Sequence, residues 1–195
     1  MFNGIIFKTG KVKNILKNKD SIYVGIQSKI NLNKRDIGSS VCCDGICLTI
    51  AEIKNKILYF YVSNETLKKT NFKNLKKNQT INLEKSLIYG QRISGHFSQG
   101  HVDSTAIVKK ITIIDNSWLI KFQILDKKLN KFLTEKASIC INGVSLTISK
   151  IYKNFFEINV IPHTLKLTNL NKLKRNSIVN VELDILSKYI YKYSK

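Results

Sequence analysis

Acidic residues are scarce in this chain of 195: 13 Asp and Glu stand against 33 Lys and Arg, a formal charge of +20. No window approaches the ~18 consecutive apolar residues of a membrane span, so no transmembrane helix and no membrane partner are expected. The opening Met1-Phe2-Asn3-Gly4-Ile5-Ile6 lacks a basic stretch followed by a long apolar one. A cleaved signal is therefore not expected, and a soluble, cytoplasmic chain is. The cysteines are few as well, and Cys42, Cys43, Cys47 and Cys140 form no evenly spaced framework. They read as reduced thiols. They also lack the paired Cys-x-x-Cys spacing of a zinc site, so no metal is expected. There is no glycine-rich phosphate loop, no nucleophile elbow with Ser-His-Asp ordering and no His-Glu-x-x-His, which leaves a nucleotide-dependent activity without support.

What is present is a globular composition, 43% hydrophobic and 24% charged. The length allows one large or two small domains and a sizeable buried core. The basic excess does not call for nucleic acid. Lys8, Lys17, Lys54, Lys85, Lys121 and Lys153 are spread along the chain and form no dense arm. They accompany heavy use of Asn, Ile, Phe and Tyr, the residues that A+T-rich codons favour.

The chain is written twice. Shifted by 98 positions, Val41-Cys42-Cys43-Asp44-Gly45-Ile46-Cys47-Leu48-Thr49-Ile50 falls on Ile139-Cys140-Ile141-Asn142-Gly143-Val144-Ser145-Leu146-Thr147-Ile148. Thr70-Asn71 meets Thr168-Asn169, Ile81-Asn82-Leu83-Glu84 meets Val179-Asn180-Val181-Glu182, and Glu65-Thr66 meets His163-Thr164. Ile22, Val24 and Ile26 alternate as in a half-buried strand, and the same shift pairs them with Ile120, Phe122 and Ile124. Earlier in each half the offset is 96, Gly4 meeting Gly100 and Thr9 meeting Thr105. Two extra residues are therefore expected in the second copy's first hairpin, near Asp115-Asn116-Ser117.

Each copy of about 90 residues is long enough for a small domain. Short alternating strands, with hairpin turns at Asp44-Gly45 and Asn142-Gly143, predict two small closed antiparallel barrels. A short helical patch is expected over Glu65–Lys69. Beyond the second copy, Leu186, Ile190 and Tyr193 recur at i, i+4 and i+7, which predicts a helix with one apolar stripe in need of a partner. The copies also agree at small and polar positions beside turns, which suggests related ligands in both. They differ at Cys47 against Ser145, and only the thiol offers an accessible thiolate near neutral pH. The junction Ser94-Gly95-His96-Phe97-Ser98-Gln99-Gly100-His101-Val102-Asp103 adds two histidines, the side chain best matched to proton transfer near neutral pH.

Together these motifs resemble riboflavin synthase of the alpha-chain type. The likeness rests on the Met-Phe-x-Gly-Ile-Ile start, the Gly-His-Phe-Ser-Gln-Gly-His-Val-Asp junction and the two Gly-x-[Cys/Ser]-Leu-Thr-Ile boxes, and it covers nearly the whole chain. It implies an all-β fold of two similar six-stranded Greek-key barrels plus a C-terminal α-helix. Residues 1–96 would form the first lumazine-binding barrel, 97–185 the second, and 186–195 a helix that assembles a homotrimer. The implied reaction is the dismutation of two 6,7-dimethyl-8-ribityllumazine molecules into riboflavin and 5-amino-6-(ribitylamino)pyrimidinedione, with no cofactor and no metal.

Carried over residue by residue, the resemblance gives a first pocket of Gly4, Ile5 and Ile6, then Cys47, Leu48 and Thr49, then Tyr61, Val62, Ser63, Asn64, Glu65 and Thr66. A second would use Gly100, His101 and Val102 with Lys136, then Ser145, Leu146 and Thr147, then Asn159, Val160, Ile161, Pro162, His163 and Thr164. Cys47 would be the nucleophile or proton-transfer group of the first site. His101 would move protons, and Ser145 with Thr147 would orient a ring. Phe2 would cover the ring, and Lys136 and Thr164 would bind carbonyl or ribityl oxygens. Asn3 and Ser98 depart from the residues the family commonly carries there. The competing readings are a non-catalytic lumazine- or flavin-binding paralogue and a basic barrel that binds RNA. The second predicts interleaved aromatic and basic residues on one face, whereas the duplicated boxes are nearly free of charge.

Overall fold

The computed structural model describes residues 1–194; Lys195, the last residue of the expected tail, lies outside them. The first copy runs β1 (Lys8–Lys17), β2 (Ser21–Ser28), β3 (Ser40–Cys43), β4 (Ile46–Lys54), β5 (Ile57–Ser63), α1 (Asn64–Lys69) and β6 (Thr80–Lys85). The second runs β7 (Ser104–Ile114), β8 (Ser117–Ile124), β9 (Ser138–Ile141), β10 (Val144–Tyr152), β11 (Phe155–Val160), α2 (Pro162–Leu167) and β12 (Ile178–Leu183), followed by α3 (Ile185–Tyr193). Both copies close into six-stranded barrels with the same neighbour order, β1-β2-β5-β4-β3-β6 and β7-β8-β11-β10-β9-β12. Closure leaves no free sheet edge in either barrel. The β3–β4 and β9–β10 hairpins turn on Asp44-Gly45 and Asn142-Gly143, all four residues at positive φ, as the expected two-residue turns require.

One detail of the repeat is corrected by strand pairing. Val24 lies opposite Phe60, while Ile120 lies opposite Ile158, the equivalent of Phe60. The counterparts of Ile22, Val24 and Ile26 are thus Trp118, Ile120 and Phe122. The 96-residue offset persists through β8, and the two extra residues lie after it, between Ile124 and Ser138. There the second copy winds a 3₁₀ turn over Lys127–Phe132, where the first has only Lys34–Asp36.

The barrels hold separate apolar cores, but each is completed by its neighbour. Ile6, from the arm ahead of β1, is buried in the second barrel's core. Val102, from the arm ahead of β7, packs on the first. The arms cross as an antiparallel pair: the Phe2 N–H donates to the Ser98 carbonyl at 2.7 Å, and Ser98 returns the bond at 3.2 Å. A buried carboxylate fixes each arm to its own barrel. Glu84 accepts from the amides of Asn3 and Gly4, and Glu182 from those of Gln99 and Gly100.

A pseudo-symmetric amide network joins the barrels on another face. Asn82 Nδ2 donates to the Asn142 carbonyl, and Asn180 Nδ2 to that of Asp44. The amides of Asn169 and Asn71 donate to Asn82 Oδ1 and Asn180 Oδ1, each at 2.7 Å. These positions account for much of the polar agreement between the copies: they hydrogen-bond across the two barrels.

Asp44 and Asn142 occupy equivalent places in this network, but only one is an acid. Burial pushes the Asp44 carboxyl up to about 8, against hydrogen bonds from the Asn82 amide and the Asn169 side chain that pull it down. Burial likewise raises Glu84 to about 7. An acid whose folded-state pKa is raised binds its proton more tightly in the native chain than in the unfolded one. Its contribution is complete below about pH 4 and is lost as pH climbs through the folded value. Stability should therefore fall between about pH 5 and about pH 8. Asp44→Asn, which copies Asn142, should flatten that slope. Thermal melts of both proteins at the two ends of this range check it, and an unchanged slope in the variant would clear Asp44 of the effect.

Candidate functional site

The crossed arms bring each Gly-x-[Cys/Ser] box against the other copy's start. The Cys47 N–H donates to the Gly100 carbonyl, and the Ser145 N–H to the Gly4 carbonyl, both at 2.8 Å. The expected grouping is thereby exchanged: Gly100–Val102 stands with Cys47, and Gly4–Ile6 stands with Ser145. Gly100 and Gly4 take φ of +75° and +72°, and a β-carbon on either would come within 2.7 Å of the facing residue's own β-carbon. Glycine is required at both places by backbone hand and by contact.

Around Cys47 the exchange opens a cavity of about 380 Å³, lined by Ile46, Cys47, Glu65, Thr66, Lys69, Thr70, Gly100, His101, Val102 and Asp103. Cys47 is half-buried there, whereas Cys42, Cys43 and Cys140 are buried. Burial pushes all three of those thiols up, away from reactivity. Ser63 caps α1 by accepting from the Thr66 amide, which turns Glu65 and Thr66 toward the cavity mouth. His101 is exposed at its rim. A thiol and an imidazole facing one polar cavity suit addition to an electron-poor ring and proton transfer beside it.

The Ser145 site is built differently. The Ser145 hydroxyl lies 2.7 Å from His96 Nδ1, and His96 Nε2 lies 3.8 Å from Cys140 Sγ. Burial lowers the His96 pKa while Asp184 and Glu182 pull it back up, so the imidazole is held toward its neutral form. α2 begins at Pro162 and presents Pro162 and His163 at the surface, with Thr164 half-buried.

Other expected site residues point elsewhere. Leu48 and Val62 face the first barrel's core, and Val160 faces the second's, so only their backbone is available to a ligand. Thr49, Tyr61, Thr147, Asn159 and Ile161 are exposed, and Asn64 and Leu146 half-buried. Phe2 is wholly buried between the arms and lines no described cavity. Lys136 is exposed at φ +68°, on the loop whose amide bonds the Ile148 carbonyl, and is not among the residues around Cys47. Sequence reading gave no site role to Glu84 or Glu182, and it named His96 only as one of two junction histidines suited to proton transfer. The first two were visible as a repeated carboxylate at the end of an apolar strand, a position that makes sense only if something pays for its burial.

The description "Lumazine binding domain" matches residues 3–86 and again 99–184. A riboflavin synthase of Actinobacillus pleuropneumoniae is 37% identical over 193 residues, 99% of this chain and 89% of that one. One from Buchnera aphidicola subsp. Schizaphis graminum is 34% identical over all of this chain and 94% of its own. Among solved structures, LumP complexed with 6,7-dimethyl-8-(1′-D-ribityl) lumazine superposes with a TM-score of 0.81 at 28% identity, covering 93% of this chain and 98% of that one. LumP complexed with riboflavin gives 0.82 at 28% identity, covering 94% and 99%.

Proposed function

We propose, for a chain that belongs to the riboflavin synthase family with its two lumazine-binding domains, that it converts two 6,7-dimethyl-8-ribityllumazine molecules into riboflavin and 5-amino-6-(ribitylamino)pyrimidinedione. It is a transferase of a four-carbon unit: one lumazine gives up four carbons and the other gains them. The observation that carries this reading beyond family membership is the pair of equivalent boxes, one ending in a thiol and the other in a hydroxyl. Two like sites suit two identical substrates, and unlike atoms suit unequal fates.

The chemistry asks little beyond placement. A lumazine's 7-methyl group is acidic because its carbanion delocalises into the ring. Holding two such rings face to face turns a bimolecular step into an effectively unimolecular one, potentially worth roughly 7–11 kcal/mol. In this reading Cys47 adds to, or exchanges a proton with, the acceptor ring, and His101 serves it from the facing arm. Ser145 and Thr147 orient the donor ring. Lys136 and Thr164 bind carbonyl or ribityl oxygens, and Phe2 supports the crossing of the arms.

The two rings meet between the first barrel of one subunit and the second barrel of the next, in a homotrimer built through α3. Leu186, Ile190 and Tyr193 support this, since all three are more than 60% exposed on that helix. The proposed division into units is 1–96, 97–185 and 186–195. The proposed compartment is the cytoplasm; among the described residues no helix is long and apolar enough to cross a membrane.

Incubating the purified chain with the lumazine alone, with chelator present, should give one riboflavin for every two lumazines consumed. Binding without product would place the chain with carriers. Removing residues 185–195 should convert a trimer on sedimentation into monomers and abolish turnover, and a full-length monomer that turns over would sink the shared site.

A further inference from the structure

The chain between the barrels does more than connect them. After β6 it crosses the second barrel's box, and its Gly95 lies so close to Ser145 that an added β-carbon would sit 2.9 Å from the Ser145 β-carbon and collide with the Asn3 carbonyl. The next residue, His96, bonds the Ser145 hydroxyl. This strap is held from the other barrel's arm. Asn3 Oδ1 accepts the amide N–H of Ser94 at 2.9 Å and of Gly95 at 2.8 Å, and Asn3 Nδ2 donates to the Arg92 carbonyl at 3.3 Å. Asn3 is itself buried and fixed, its own N–H donating to Glu84 Oε1 at 2.7 Å.

We propose that Asn3 is a positioning residue, which latches the inter-barrel strap over the Ser145 site and so sets His96 against the Ser145 hydroxyl. The proposal deepens the riboflavin synthase reading and rests on it for the substrate. The latch needs an acceptor that takes two adjacent amides and a donor on the same planar group, which is an asparagine side chain. A threonine offers one hydroxyl and an alanine nothing.

Among the described residues, the Cys47 site has no equivalent strap. Gln99 stands where Asn3 stands, but the chain after β12 runs straight into α3, whose Lys188 pairs with Asp103 at the cavity's edge at 2.7 Å and whose Tyr191 packs edge-on against Phe132 at 5.0 Å. The two sites therefore differ in access as well as in chemistry. A ring entering beside Cys47 meets an open cavity; one entering beside Ser145 meets a hydroxyl already oriented by an imidazole. Asn3 acts on turnover only through that imidazole.

The test compares the wild type with Asn3→Ala, Asn3→Thr, His96→Ala and the Asn3→Ala/His96→Ala double variant, using 6,7-dimethyl-8-ribityllumazine as substrate. Asn3→Ala, which loses all three hydrogen bonds to the strap, should lower kcat about tenfold or more, with little change in KM and faster amide exchange at Ser94 and Gly95. Asn3→Thr should fall between it and the wild type. The double variant should be no slower than His96→Ala alone, because the two act as a unit. Multiplicative losses in the double variant, or unchanged exchange at Ser94 and Gly95 in Asn3→Ala, would overturn the latch. A wild type that forms no riboflavin overturns the underlying reading instead, and amide exchange then decides the latch by itself.

Discussion

Cys47→Ser should fold as the wild type does, bind lumazine and lose about a hundredfold in kcat, the scale of removing a proton-transfer or nucleophilic group. The fold is safe because Cys47 is fixed by its backbone: its N–H bonds Gly100, and it faces its neighbour Cys42 across the β3–β4 pair. Neither contact uses the sulfur. The hydroxyl fills almost the same space but yields no comparable anion near neutral pH. The substitution also gives both boxes the same atom, so it asks directly whether unequal sites are needed. Rapid-quench measurement of riboflavin formation at saturating lumazine reads the chemical step. A loss smaller than about twofold would strip Cys47 of a chemical role and move the search to His101.

Asn82→Leu should cost about 3–5 kcal/mol, because it strands several buried partners at once. The Asn82 side chain donates to the Asn142 carbonyl at 3.0 Å and to Asn169 Oδ1 at 2.9 Å, and accepts from the Asn169 amide at 2.7 Å. Asn82 is wholly buried, so water cannot replace those bonds. Leucine keeps the branched shape with bulkier methyl groups and leaves three polar groups unanswered. The melting midpoint should drop by about 10 °C for a chain of this size. A drop of only a degree or two would mean that the barrels are held by their exchanged arms and not by the amide network. Asn180→Leu, at the mirrored place, should behave alike.

The duplication, the barrel count, the hairpin turns and the tail helix were legible because each follows from local pattern. The strand offset was not. A shift of two leaves every side chain of an alternating strand on the same face, so Ile22, Val24 and Ile26 match Ile120, Phe122 and Ile124 as comfortably as their true counterparts. Only hydrogen-bond register separates the two. The pairing of sites failed for another reason. A repeat shows which residues are equivalent, not which are adjacent, and nothing in Gly4 or Gly100 states that its arm crosses to the other barrel. The shared asparagines were visible and pointed to ligands, since a polar match looks the same whether it answers a substrate or a neighbouring backbone. Asn3 was noted as a departure, but the strap that gives it meaning is far away in sequence.

The crossing of the arms also says something about ancestry. A chain of a single barrel, ending where the strap now begins, would have lacked the arm residue, now Val102, that packs against the first core. It could have found that residue only in a second copy of itself, giving and receiving an arm about a twofold axis. The present chain carries both copies in one polypeptide, so its halves are free to differ. Asp44 could then drift from Asn142, and Cys47 from Ser145, without either change being forced on both sites at once.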